Sequence, residues 1–191
     1  MISIYELIDL VIMTLAIGFI FSGIFRKPEP DDYDPLKPRR GFDFRDLGFA
    51  AAVTAPAVIL HEMGHKFAAM AFGVHATFHA AYTWLFIGVL LKLMRVGFIF
   101  FVPGYVQYPG GLLTPLQNAI VAFAGPGTNL LLFLAASYLL KTKRIKKNSH
   151  RIALIITRQI NLFLFIFNMI PLPPFDGYHF FSSLVRAVAT L

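Results

Sequence analysis

The residues best suited to chemistry are five consecutive ones, His61-Glu62-Met63-Gly64-His65. On a helix, side chains four residues apart lie on one face, so His61 and His65 can bind one metal ion. Glu62 would then stand beside that ion, where it could take a proton from a metal-bound water. This is the H-E-x-x-H pattern of zinc hydrolases, and it favours a metal site over a chance pair of histidines beside a helix carboxylate.

A catalytic zinc site needs a third protein ligand and an open position for water. The chain has no cysteine, so the third ligand must come from histidine or carboxylate side chains. From residue 47 to the end of the chain, the only carboxylate side chains are those of Glu62 and Asp176. A charge in hydrocarbon is costly and indicates function, which favours Asp176 as the third ligand. His179, three residues later, is the alternative.

The composition is that of a membrane protein, because 57% of the residues are hydrophobic and only 14% are charged. The net charge of +7 could suggest nucleic acid as a partner. The basic residues, however, cluster beside apolar stretches, as they do in loops that flank a membrane. We therefore expect this chain to lie in a lipid bilayer and to have no nucleic-acid partner.

Four apolar stretches approach or exceed the roughly 20 residues that span a bilayer. The first lacks a basic N-terminal flank, so we expect a retained helix and not a cleaved signal. Pro56 lies inside the second and could kink it. The expected spans are residues 7–25, 47–72, 115–140 and 152–177. The last of them runs into a break formed by Pro171, Pro173 and Pro174, with Asp176 at its end.

Residues 74–111 lie between the second and third spans and predict a mixed, membrane-associated region. Residues 82–95 are too few to span and predict a short amphipathic or re-entrant helix. Residues 97–108 are aromatic and β-branched, which predicts one or two short strands. Lipid-exposed strand edges are not tolerated in hydrocarbon, so such strands must be covered by protein or line a cavity. His75 and His79 repeat the four-residue spacing, but an extended segment is favoured there over a second metal site.

Together these patterns predict an all-α polytopic membrane protein with about four transmembrane helices and a short membrane-associated β element. We expect a single domain, residues 1–191, with no internal repeat. The third span carries a run of small residues, 124–129, that could serve helix packing or shape a site.

The chain resembles the site-2 protease family of intramembrane zinc metalloproteases. His61-Glu62-Met63-Gly64-His65 is similar to the first motif of that family, and Ala124-Gly125-Pro126 to a feature of an intervening span. The second motif, N-x-x-P-x-x-P-x-D-G, is matched by Asn168, Pro171, Pro174, Asp176 and Gly177.

The resemblance implies one zinc ion per chain, bound by His61, His65 and Asp176, with Glu62 as general base and acid. It implies that Asn168 orients the scissile carbonyl or stabilises its oxyanion. The substrate would be a transmembrane protein, unwound and added as a strand to a segment like residues 100–108.

Two other functions compete with proteolysis. A catalytically inactive zinc-binding membrane chaperone should lack the glutamate of the first motif, but Glu62 is present. A small metal or proton transporter should show inverted repeats or further intramembrane charges, and the sequence shows neither. The sequence therefore favours the metalloprotease.

Overall fold

The computed structural model describes residues 2–26, 43–96, 102–142 and 147–190. These ranges contain α1 (Ile4–Phe21), α2 (Phe44–Ala71), β1 (Thr77–Ala80), α3 (Tyr82–Leu93), β2 (Gly104–Gln107), α4 (Pro115–Lys141), α5 (Asn148–Asn168) and α6 (Asp176–Ala189). Four helices, α1, α2, α4 and α5, are long and apolar enough to cross a membrane. The predicted fold class is confirmed, and the chain is a multi-pass integral membrane protein.

Capping residues explain where two of the spans, α1 and α4, begin. Ser3 and Glu6 form a capping box at the start of α1, so this helix begins before the expected residue 7. Thr114 and Gln117 form a second capping box, with Pro115 in the first turn of α4. The fifth helix begins at Asn148, before the expected residue 152. It therefore includes part of the basic stretch that precedes the fourth span.

The centre of the fold is the packing of α2 against α4, which also contacts α5 and α6. This contact requires glycine at position 64. A Cβ there would lie 2.7 Å from Ala124 O and 2.7 Å from Thr128 Oγ1, well inside van der Waals distance. Pro56 lies within α2, which nevertheless runs as one helix from Phe44 to Ala71.

The β element is a two-stranded antiparallel sheet in which β1 pairs with β2, with His79 opposite Tyr105. The prediction of a strand in residues 97–108 is confirmed for Gly104–Gln107, and residues 97–101 lie outside the described residues. The expected extended segment around His79 is the partner strand.

The third helix lies alongside α1. At its first residue, the Tyr82 hydroxyl donates to Asp9. Near its last residue, Lys92 Nζ donates to Ser22 Oγ over 2.6 Å and to the Phe19 carbonyl. These contacts reach from the early part of α1 to its end, so the short helix expected in residues 82–95 lies along the first span. Whether it is a re-entrant or a surface-amphipathic helix stays a prediction.

The proline-rich break is confirmed. The fifth helix ends at Asn168, and α6 begins at Asp176 and packs against α4. Gly177 permits the return of the chain, because a Cβ there would lie 2.5 Å from Met169 O. The break thus brings Asp176 back towards α2 and α4, where the metal-site candidates lie.

Candidate metal centre

The two histidines of the first motif and the aspartate of the second converge on one point. His61 and His65 are buried on α2, one turn apart, and Asp176 is the first residue of α6. Asp176 Oδ2 lies 3.0 Å from His61 Nε2 and 3.3 Å from His65 Nε2. The two Nε2 atoms are 3.2 Å apart.

These three donor atoms fit a zinc ion. In a tetrahedral site with bonds of about 2.0–2.1 Å, neighbouring ligand atoms lie roughly 3.3 Å apart. The observed edges of 3.0, 3.2 and 3.3 Å match that spacing. Within the described ranges, this is the one group of three or more His, Cys, Asp or Glu side chains that could hold a metal ion. Neither His179 nor the His75 and His79 pair belongs to such a group.

The Nδ1 atom of each histidine, the ring nitrogen that is not directed at the metal position, forms a hydrogen bond with a carbonyl oxygen. His65 Nδ1 lies 2.7 Å from Val121 O, and His61 Nδ1 lies 2.6 Å from Asn129 Oδ1. A carbonyl oxygen can only accept, so each Nδ1 must carry the proton and donate it. The lone pair of each Nε2 is therefore available to the metal, as in the histidine sites of metalloproteins.

The orientation of the Asn129 amide is itself fixed by its other partners. Asn129 Nδ2 donates to Ala57 O over 3.0 Å and to Asn161 Oδ1 over 2.9 Å. Asn161 Nδ2 in turn donates to Thr157 O. The amide oxygen of Asn129 must then face His61. This buried network joins α2, α4 and α5 and determines which tautomer His61 adopts.

Gly125 provides the space beside the metal ligands. A Cβ at this position would lie 2.2 Å from His65 Nε2 and 2.8 Å from His61 Nε2. The small-residue run 124–129 therefore does more than pack helices. Gly125 leaves room for the two Nε2 atoms, and Asn129 orients the His61 ring. Ala124 and Thr128 pack against Gly64.

The centre opens into a cavity of about 990 Å³. Besides the three candidate ligands, its walls include Glu62, Asn168 and His179. Glu62 is buried beside the ligands without belonging to their group, and Asn168 is half-buried. The remaining walls come mainly from α1, α5 and the segment that contains β2, with smaller contributions from α2, α4 and the break before α6, and are mostly apolar. The cavity therefore joins a metal site, a free carboxylate and an amide in a largely apolar chamber.

Tyr108, directly after β2, connects the sheet to α4 and α6. Its hydroxyl donates to Asn118 Oδ1 over 2.9 Å, and Asn118 Nδ2 donates to Ser183 Oγ over 3.0 Å. Burial raises the pKa of Tyr108, and the negative charge of nearby Asp176 raises it further. The phenol is therefore a neutral donor at neutral pH and ties the end of β2 to α4 and α6.

The sequence patterns indicated no individual role for Asn129, which was noted only within the run 124–129, and none for Asn161 or Tyr108. The two asparagines could have been found by the cost of a polar amide inside an apolar span, the criterion that selected Asp176. Tyr108 gave no such indication, because it follows a strand among other aromatic residues.

Asp176→Ala should lose most of the metal, because two histidines alone leave the site one ligand short. Zinc analysis of the purified protein should give about one zinc per chain for the native sequence. His179→Ala is the matched control and should retain it. Loss of zinc in His179→Ala, with retention in Asp176→Ala, would reverse the ligand assignment.

Gly125→Ala should also lose zinc, since the added methyl group would occupy the space beside both Nε2 atoms. Gly127→Ala is the control two residues away, where a Cβ would meet only the ring of Phe123, at 3.1 Å. Zinc content and thermal unfolding of both variants should be measured in detergent. Equal zinc content in the two variants would contradict this role for Gly125.

Three curated relatives match between 37% and 90% of the chain. The chain is 37% identical over 174 residues to "Putative zinc metalloprotease MJ0611" of Methanocaldococcus jannaschii, covering 90% of the chain and 81% of that relative. It is 28% identical over 135 residues to "Putative zinc metalloprotease Rip2" of Mycolicibacterium smegmatis, covering 64% of the chain and 51% of that relative. It is 33% identical over 82 residues to "Putative zinc metalloprotease YwhC" of Bacillus subtilis, covering 37% and 36%.

No protein-family model matches the chain, and no solved structure does. The similarity to the Methanocaldococcus jannaschii relative extends over most of both sequences. The chain therefore belongs to the zinc metalloprotease family of these relatives, which confirms the resemblance of its motifs, and zinc is its cofactor.

Proposed function

We propose that this metalloprotease is an intramembrane enzyme of the site-2 type. It would hydrolyse a peptide bond in or near a transmembrane segment of a membrane protein, as in regulated intramembrane proteolysis. The observation that carries this proposal is the position of the candidate metal ligands and Glu62. They share one apolar-walled cavity among helices long enough to span a membrane.

His61, His65 and Asp176 are the proposed zinc ligands. Zinc bound there would supply a water of lowered pKa and would polarise the scissile carbonyl. Glu62 is the proposed general base and acid. One of its carboxylate oxygens accepts the proton of the attacking water, and the same group later donates it to the leaving amine. Its position beside the ligand group, on the same cavity wall, suits both transfers.

Asn168 is the proposed electrophilic residue. Asn168 is the last residue of α5 and lines the cavity together with Asp176. The Nδ2 group of its amide can donate to the carbonyl oxygen of the substrate as negative charge develops there. A neutral donor suits this apolar chamber, because it stabilises charge without adding one to a costly environment.

The proposed substrate-binding element is the edge of β2 that faces away from β1, which pairs with no strand among the described residues. Ala81 N donates to Pro103 O, so the residues of β1 that bond to β2 are the alternate ones, 77 and 79. On β2, the backbone groups of Gly104 and Val106 therefore point to the opposite edge. Both residues line the cavity. A substrate helix hides its peptide bonds, and pairing with this edge would hold it unwound and extended.

Glu62→Gln should bind zinc normally and cleave nothing detectable, because Gln cannot accept the proton of the water. The purified enzyme should be incubated with detergent-extracted bacterial membrane proteins, and new N-termini identified by mass spectrometry. We expect new termini within apolar spans for the native enzyme and none for the variant. Equal cleavage by the two proteins would exclude this mechanism.

Asn168→Ala should keep its fold and zinc but lose roughly 10²-fold or more in turnover, the usual scale for one oxyanion donor. Rates should be measured on a cleaved span from the preceding experiment, with zinc content and thermal unfolding as controls. Normal turnover would remove the assignment, as would a loss that follows unfolding.

A further inference from the structure

The first helix carries two buried acids that face the sheet. Glu6 is 3% exposed and Asp9 is 9% exposed, and they lie about one turn apart on α1. Glu6 Oε1 accepts a hydrogen bond from the backbone N–H of Phe78 over 2.8 Å. Asp9 Oδ2 accepts one from the backbone N–H of Ala80 over 3.1 Å. Two carboxylates thus bond to the backbone of β1.

The backbone N–H groups of Phe78 and Ala80 are the ones in β1 that do not bond to β2. In an antiparallel pair, successive residues direct their backbone groups to opposite edges. Because residues 77 and 79 bond to β2, Phe78 and Ala80 point away from it. Their N–H groups would otherwise form an open edge that could accept another strand. The side chains of Glu6 and Asp9 therefore close the outer edge of β1, as a third strand would.

Lys66 links Glu6, at the outer edge of β1, to α2, the helix that carries His61 and His65. It follows His65 directly in sequence, is 1% exposed, and forms an ion pair with Glu6. A buried charge is tolerated when it is paired and hydrogen-bonded. Glu6 thus bonds simultaneously to β1 and to α2, next to a candidate metal ligand. Asp9 accepts in addition from the hydroxyl of Tyr82, the first residue of α3.

We infer that Glu6 and Asp9 are positioning residues for the substrate. They close the outer edge of β1, so that the sheet accepts an extended substrate at β2 only, and Lys66 offsets the buried charge of Glu6. This inference rests on the proposed function, which supplies the substrate strand. It goes beyond that function by giving α1 a role in positioning the substrate strand. Glu6 and Asp9 act through the sheet, because neither acid lines the cavity or contacts the candidate metal ligands.

The test uses two double variants that both remove the buried ion pair. Glu6→Gln/Lys66→Met keeps a side-chain oxygen that can accept from Phe78 N–H, whereas Glu6→Met/Lys66→Met has a similar shape and no such acceptor. A second pair changes Asp9 alone. Asp9→Asn can still accept from Ala80 N–H and donate to the Tyr82 oxygen, and Asp9→Leu can do neither. Glu6 also accepts from Ser3 N–H, and Asp9 from Tyr82, so it is a loss shared by both pairs that reports the backbone hydrogen bonds to β1.

Docking is measured by disulfide trapping in a parent that carries Glu62→Gln and Tyr105→Cys. The chain has no cysteine of its own, and Tyr105 is half exposed on β2. The probe is a synthetic peptide with lysine flanks and one Leu/Ala span of about 20 residues. A central Gly-Pro favours unwinding, and a cysteine stands beside it. A strand added to β2 brings the two Cβ atoms within about 4.5–5.5 Å, close enough for a disulfide.

We expect the Gln and Asn variants to trap the probe as the parent does, and the Met and Leu variants to trap about tenfold less, the scale of one lost hydrogen bond. Zinc content should stay at that of the parent in all of them. Equal trapping within both pairs would overturn the inference. So would zinc loss in the Met or Leu variants, because the acids would then support the metal centre.

Two further outcomes separate this inference from the proposed function. If the parent does not trap the probe, the inference and strand addition are both wrong, whereas new N-termini made by the native enzyme would leave proteolysis intact. If trapping depends on the acids but no native cleavage is found, positioning stands and the proposed function fails. Should the Glu6→Met/Lys66→Met protein not fold, the Asp9 pair decides alone.

Discussion

The structure depends on one constraint, the pairing of every polar group that is placed among apolar helices. A metal centre requires two imidazoles with their Nε2 lone pairs free, and each imidazole has a second nitrogen that needs a partner. Val121 O and Asn129 Oδ1 provide those partners from α4. This requires α2 and α4 to approach closely. Gly64 and Gly125 permit that approach, so the packing of the two central helices follows from the chemistry of two side chains.

The same constraint explains the non-helical part of the fold. Backbone without a helix leaves N–H groups unpaired, and hydrocarbon offers no water to pair them. At the outer edge of β1 the partners are Glu6 and Asp9, and Lys66 balances one of the two charges. Lys92 provides a comparable partner for the carbonyl of Phe19 at the end of α1. Charged residues that would be costly alone thus allow a sheet and a short helix to lie beside the spans.

The sequence was most informative where local pattern and local chemistry coincide. Apolar length predicted the four spans, and the spacing of His61 and His65 predicted a shared face on one helix. Three prolines predicted the break before Asp176. It was uninformative where partners are distant in sequence, because neither periodicity nor spacing encodes such contacts. Glu6 therefore looked like a polar flank of the first span, although its partners are Lys66 and the backbone of Phe78.

The break between α5 and α6 shows how the chain assembles groups that a regular helix would separate. Asn168 and Asp176 are eight residues apart, which in a continuous helix corresponds to about 12 Å along the axis. The break places both on the wall of one cavity, with Asp176 Oδ2 3.0 Å from His61 Nε2. Gly177 allows the chain to fold back on Met169. A candidate metal ligand and a proposed oxyanion donor therefore depend on the same few residues of irregular backbone. A change that straightened this segment would displace both groups from the cavity, even with α2 and its histidines intact.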